Sequence, residues 1–173
     1  AIYQHTGKLP RRLGNRAENA APRNAYLCSD GKWMVMSGST QRMAERVLVS
    51  IGRADLVRDP RFIDNAARID NVEALDDLIG GFVSQRTLEE NLAHFGRHEV
   101  TVGPMMNVDQ LMQDAHVTAR QVLVEVPDPQ LGSVVMHNVF PRLSGTPGRI
   151  RTTAPEIGQD QDLLDRPASN RQL

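Results

Sequence analysis

The 173-residue sequence predicts an α+β fold, with short antiparallel strands covered by helices. Three observations predict it. A hairpin pattern stands at each end of the organised segment. Helix-period segments fill the space between the hairpins. Long aperiodic segments lie outside both. Together they describe a small domain inserted into something larger.

The first hairpin is "APRNAYLCSDGKWMVMSG", residues 21 to 38. Tyr26-Leu27-Cys28 and Trp33-Met34-Val35-Met36 form its arms, and Asp30-Gly31 suits a two-residue primed turn. Next, "STQRMAERVLVSIG" places Met43, Val47, Leu48 and Ile51 on one helical face, with Ser39 or Thr40 as cap and Gly52 as stop. "RADLVRDPRF" predicts a short helical turn broken at Asp59-Pro60, Pro60 suiting a first helical position. "NVEALDDLIGGFVSQR" aligns Leu75, Leu78, Ile79, Phe82 and Val83. Gly80-Gly81 costs that helix about 1 kcal/mol per glycine, so close packing or a break is expected there.

"TLEENLAHFG" opens with Thr87 and Glu90, a reciprocal capping box, and Gly96 is expected to end it. "EVTVGPMM" predicts a short strand. "NVDQLMQDAHVTARQ" predicts one helix with Val108, Leu111, Met112 and Ala115 inward. The second hairpin has arms at 122–126 and 133–139, joined around Pro-Asp-Pro.

Residues 1–24 show no period and carry Gly7, Pro10, Gly14 and Pro22, which marks an extended connector. From Pro141 the period is lost again, and the last dozen residues are expected to be mobile. The organisation is therefore a connector over 1–24, a small α+β domain over 25–140 and a return connector over 141–173.

Charge and composition narrow the function. Twenty basic and 21 acidic residues give a net charge of -1, which offers no reason to expect nucleic acid or an anionic membrane as partner. One cysteine excludes an internal disulfide framework and fits a reducing compartment. No apolar run approaches the ~20 residues of a membrane span, and no signal-peptide pattern opens the chain. A soluble, cytoplasmic protein is expected.

The candidate chemistry is sparse. His94 and His98 stand four apart beside Glu99, but Gly96 lies between them and no third ligand has zinc-site spacing. They read as histidines at a helix C-terminus. His116 and His137 are single. Cys28 lies in a strand and reads as a small buried hydrophobe. Gly38-Ser39-Thr40-Gln41 lacks a phosphate-loop pattern, so capping explains it. Asp76-Asp77 and Glu89-Glu90 read as solvated pairs on polar helix faces. Lys8, Arg11, Arg12, Arg16 and Arg23 put five cations within sixteen residues; they suit phosphates or an acidic partner surface equally. The residues alone assemble no complete active site and no metal site.

The order of several segments resembles the C-terminal half of a family III CoA-transferase, the group of formyl-CoA transferase, carnitine CoA-transferases and α-methylacyl-CoA racemase. The matching pieces are "RLGNRAENAAPRNAYLCSDGKWMVMS", "ERVLVSIGRADLVRDPRF", "ARIDNVEALDDLIGGFVSQRTLEE", "VGPMMNVDQLMQDAHVTARQVLVEVPDPQLGSVVMHNVFPRLSGTPG" and "RTTAPEIGQD". The resemblance fades after about Leu164.

It implies a small domain inserted into a Rossmann-like large domain that this chain does not contain, with residues 141–173 holding a remnant of the large domain's C-terminal tail. It implies interlocked homodimers, a coenzyme A thioester as substrate, a carboxylic acid as acceptor and no permanently bound cofactor. The family's nucleophile is an aspartate of the N-terminal half, which attacks the acyl-CoA carbonyl to form an acyl-aspartyl anhydride. No position here matches it, so no catalytic residue is assigned and the chain alone is expected to be inactive. The formyl-CoA transferase group has a glycine-rich loop before the first hairpin that closes over the reaction centre. The corresponding segment here is Arg16 to Pro22, and Arg16, Glu18, Asn19, Ala20 and Ala21 are the substrate-binding candidates. The glycines are replaced, which argues for an acid larger than formate or oxalate. Racemases of the family use a glutamate near Thr40, which favours the transferase branch. An acyl-CoA racemase and a non-catalytic small-domain subunit are the alternatives.

Overall fold

The computed structural model of the chain describes residues 2–9 and 12–165. The chain divides into two compact units, Ala1–Met105 and Met106–Leu173. The expected mobile tail falls largely outside the described residues, as does Arg11.

The first unit is a three-stranded antiparallel sheet with helices packed on it. Strands β1 (Arg23–Leu27), β2 (Trp33–Ser37) and β3 (Val102–Pro104) pair in that order, with β2 central. Tyr26 pairs with Met34 and Asn24 with Met36. The side-chain period of two turns Met34 and Met36 inward and leaves Trp33 and Val35 facing out.

The hairpin turn differs from the two-residue primed turn expected. Cys28 N–H still bonds Lys32 O at 2.8 Å, so three residues form the loop. Only Gly31 takes a positive φ (+77°) there, whereas a primed turn needs it at Asp30 too. Asp30 is used otherwise: its carboxylate accepts from the Leu88 N–H at 3.2 Å and ties the turn to the helix that follows Thr87.

Among the described residues, five α-helices belong to this unit. A short α1 (Ile2–Thr6) stands in the segment expected to be extended throughout. Helix α2 (Gln41–Ser50) is capped by Thr40, whose hydroxyl accepts from Met43 N–H at 3.2 Å. A 3₁₀ turn spans Ala54–Arg58. Pro60 does not begin a helix: Asp59 accepts from the Arg61 and Phe62 amides in a tight turn that buries Phe62. Helix α3 (Asn65–Asp70) begins later under an Asp64 cap, and the sequence reading had no helix there.

Helix α4 (Val72–Val83) runs unbroken through Gly80-Gly81 because the Tyr26 ring lies over Gly80, 3.8 Å from where a Cβ would stand. Helix α5 (Leu88–Arg97) has the full Thr87/Glu90 capping box. It passes Gly96 and reverses at Glu99, φ +53°, where Arg46 bonds both the Glu99 carbonyl and carboxylate. The core between sheet and helices holds Met34, Met36, Val47, Leu48, Phe62, Leu75, Ile79, Val83 and Phe95, each at most 3% exposed. Cys28 is buried with them as expected, and burial pushes its thiol pKa up.

The second unit contains helices α6 (Val108–Gln113) and α7 (Ala115–Ala119), the hairpin β4 (Leu123–Asp128) and β5 (Gly132–His137), and a short α8 (Asp162–Asp165). The single helix expected here is two. Asp114 is extended, ψ 128°, and spends its carboxylate capping the Val117 amide at 2.9 Å. Val108, Leu111 and Met112 are exposed rather than inward. The β4–β5 arms match the expected hairpin, closed at Asp128↔Gly132 with Asp128 accepting from the Gln130 and Leu131 amides.

No helix among the described residues is long and apolar enough to cross a membrane.

Candidate functional site

The segment Arg16–Pro22, the candidate loop, is fastened to the first unit through the Arg16 side chain, the Asn19 carbonyl, both backbone groups of Ala21 and the Pro22 carbonyl. The strongest anchor comes from α4. Its apolar stripe runs Val72, Leu75, Ile79, Val83, and Asp76 falls on that stripe one turn before Ile79. Asp76 is 8% exposed. A buried carboxylate needs donors, and three reach it. Arg16 Nε donates to Oδ2 at 2.7 Å and Asn24 Nδ2 to the same oxygen at 2.9 Å; Tyr26 Oη donates to Oδ1 at 2.6 Å. Arg16 also faces Glu73 at 3.8 Å. Burial, and then the Asp76 charge and hydrogen bond, push the Tyr26 hydroxyl far above the ordinary tyrosine pKa, against a smaller opposing effect of Arg16.

Helix α3 holds the middle and end of the loop. Asn65 uses both ends of one carboxamide: Nδ2 donates to Asn19 O at 3.0 Å, and Oδ1 accepts from Ala21 N–H at 3.2 Å. Arg68, 1% exposed, donates from Nε to Ala21 O at 2.7 Å and from Nη1 to Phe62 O and the Gln41 side chain. Its burial lowers the guanidinium pKa, while Asp64 and Glu45 oppose that. Finally, Gly38 N–H bonds Pro22 O at 2.7 Å. A Cβ at Gly38 would stand 2.7 Å from Pro22 Cγ, so glycine is required for this approach.

The candidates therefore separate. Arg16 is half-buried and committed to Asp76. Glu18 and Asn19 are exposed. Ala20 and Ala21 turn their side chains into the protein, 7% and 1% exposed, so they offer only backbone. A cleft of about 980 Å³ opens beside the loop, lined by Lys8, Arg12, Arg16 and Glu18 together with Asp70 and Glu73. Three of the five connector cations thus gather at one cleft, while Arg23 is exposed on β1.

Sequence reasoning missed Asp76, Tyr26, Asn24, Asn65 and Arg68. Asp76 was read as solvated. Its position on the α4 stripe was the available signal, because an acid on an apolar face is buried with partners. His94 Nε2 lies 2.8 Å from Ser50 O, and its ring packs on Phe82, Phe95 and His98. No group of three His, Cys, Asp or Glu side chains among the described residues is arranged to hold a metal.

Comparison with known proteins agrees with the resemblance seen in the sequence. The chain is 36% identical over 157 residues to a succinyl-CoA–D-citramalate CoA-transferase of Chloroflexus aurantiacus, covering 91% of this chain and 39% of that protein. It is 30% identical over 168 residues to the alpha subunit of a succinyl-CoA–L-malate CoA-transferase of the same organism, again covering 39% of the relative. A formyl-CoA:oxalate CoA-transferase of Streptomyces coelicolor is 27% identical over 157 residues, covering 87% of this chain and 37% of that protein. Among solved structures, a CAIB/BAIF family protein from Brucella suis superposes with TM-score 0.68 at 25% identity, covering 94% of this chain and 42% of that one. The chain thus spans about two fifths of the length of these relatives. Residues 1–161 match the family described as CoA-transferase family III, and the chain belongs to that family.

Proposed function

We propose that this chain is part of an enzyme that transfers CoA between carboxylic acids through an aspartyl-acyl intermediate whose nucleophile lies outside these 173 residues. The family match over residues 1–161 carries this reading. Residues 25–140 act as the small inserted domain, with 1–24 and 141–173 as the connecting segments to a Rossmann-like large domain. The complete enzyme works as a cytoplasmic homodimer, interlocked as the family resemblance implies.

The chain's own contribution is the pinned loop and the cleft beside it. Arg16, Glu18 and Asn19 form the wall facing substrate, with the Ala20–Ala21 backbone behind them. Lys8 and Arg12 at the same cleft suit an anionic ligand, since cations on a partly enclosed wall attract carboxylate or phosphate. Two of the most similar relatives act on succinyl-CoA with a hydroxy-dicarboxylate acceptor. That supports succinyl-CoA as donor and an acceptor larger than formate or oxalate.

Transfer is favoured over racemisation by Thr40. Its hydroxyl is occupied in capping α2, and a threonine cannot supply the acid–base carboxylate of the racemase branch.

The test incubates the full-length protein with succinyl-CoA and citramalate or malate, and follows the thioesters by mass spectrometry. Formation of the acceptor's CoA thioester with equimolar succinate is expected, and the isolated 173-residue chain forms none. Turnover by the isolated chain would overturn the division of labour. Exchange of the α-proton of a 2-methylacyl-CoA without any acceptor acid would establish the racemase instead, and no reaction at all would leave a non-catalytic subunit.

A further inference from the structure

We propose that Asn65 is a positioning residue that holds the Arg16–Pro22 loop as a stationary wall of the acyl-binding site and so keeps water from the acyl group during transfer; this rests on the function proposed above.

Three observations carry it. First, the carboxamide of Asn65 is matched at both ends to the loop backbone, donating to Asn19 O and accepting from Ala21 N–H. An aspartate could make only the second bond, and an aliphatic side chain neither. Second, the loop is held on both sides of that bridge, by Arg16 to Asp76 before it and by Arg68 to Ala21 O and Gly38 to Pro22 O after it. A segment tied at positions 16, 19, 21 and 22 has little freedom to swing as a lid. Third, α3 carries both Asn65, at its first position, and Arg68, in its last turn, and ends at Asp70, which lines the cleft beside the loop. The same short helix therefore grips the loop and contributes to the lining of the cleft.

Asn65 is the informative position because it is only partly buried and lies outside the core, whereas Arg68 and Asp76 are buried. In the reaction, the CoA thiolate released when the aspartate attacks must re-attack the acyl-aspartyl anhydride before water does. Water attacking in its place gives the free acid and the CoA thiol, a net hydrolysis of the thioester. A fixed wall that excludes water shows in the ratio of hydrolysis to transfer, which a purely structural residue would not move.

The experiment compares the full-length wild type with Asn65→Ala and Asn65→Asp. Three quantities are read: hydrogen exchange of the peptide containing residues 16–22, the hydrolysis-to-transfer ratio with succinyl-CoA, and the KM for each substrate. For Asn65→Ala, exchange of the loop rises about tenfold, as loss of two modest hydrogen bonds implies. The hydrolysis ratio rises by a similar factor, the acceptor KM rises severalfold, and the acyl-CoA KM stays near wild type. Asn65→Asp, which keeps the bond from Ala21 N–H, falls between.

Unchanged exchange in Asn65→Ala would show that the side chain does not hold the loop. Faster exchange with wild-type partition and acceptor KM would show that the held loop is no wall. A wild-type protein that transfers CoA to no acid overturns the proposed function and the wall with it, but the exchange comparison still decides the tether, so the two failures read apart.

Discussion

The two compact units of this chain solve burial differently. In the first, Met34, Val47, Leu75, Ile79, Val83 and Phe95 have no exposure at all. In the second, Val126 at 9% is the most buried hydrophobic side chain among the described residues, while Val108 is 72% exposed, Met112 48% and Phe140 56%. Both units were read from the same helical and strand periods. The difference teaches that a period tells which residues share a face and not what covers that face. In the first unit the cover is local, supplied by a sheet and four helices. In the second, the α6 stripe has no such cover among the described residues, and exposed apolar faces of this kind mark surfaces where other chain packs. The relatives are more than twice as long as this chain, which supplies ample sequence for that purpose.

The sharpest way to break the comparison is a pair of truncations. Phe95→Ala in the first unit should cost about 3–5 kcal/mol in denaturant unfolding of the chain. Leu111→Ala in the second should stay within about 0.5 kcal/mol in the same experiment, because that side chain is already exposed. Equal costs would mean that the second unit has a core of its own.

Next in size is Asp76→Ala, which strands the Tyr26 hydroxyl and the Arg16 and Asn24 donors. About 2–3 kcal/mol is expected, reduced from the fully buried case because Arg16 keeps solvent contact. The same network has a pH signature. The Tyr26 pKa is raised on folding, so its contribution is fully present below the ordinary tyrosine value of about 10 and is lost as the pH rises beyond it. Tyr26→Phe should therefore flatten the alkaline fall in stability above about pH 10. An identical alkaline limb in both proteins would contradict this reading of Tyr26.

The smallest effect has the opposite sign. Gly81 lies inside α4 with open space where a Cβ would stand. Gly81→Ala should stabilise the first unit by about 0.5–1 kcal/mol, measurable as a raised Tm. A loss of stability would mean that something outside this chain packs on Gly81.

The helices of the first unit were legible because their caps and stripes are local. The Thr87/Glu90 box and the Thr40 cap are examples. The pairing of β1 with β2 was legible for the same reason, although the turn was not: Asp30 is recruited by Leu88, 58 residues away. Helix α3 is not legible in the sequence because its start depends on the Asp64 cap, whereas the sequence suggests a helix start at Pro60.

The candidate loop was found by resemblance and its supports were not. Asn65, Arg68 and Asp76 act on residues 44 to 60 positions away, and nothing local marks an arginine that will be buried. Asp76 alone left a trace, an acid on an apolar stripe, and the adjacent Asp77 disguised it as a solvated pair.

The central claim is that the first unit folds and holds its loop by itself while the second obtains cover from elsewhere in the protein. Hydrogen exchange tests it most directly, measured on the 173-residue chain and on the full-length protein under the same conditions. The account predicts that amides of Leu48, Ile79 and Phe95 are equally protected in both, and that residues 108–119 are protected only in the full-length protein. Equal protection of 108–119 in the two, or loss of protection at Ile79 in the shorter chain, would contradict it.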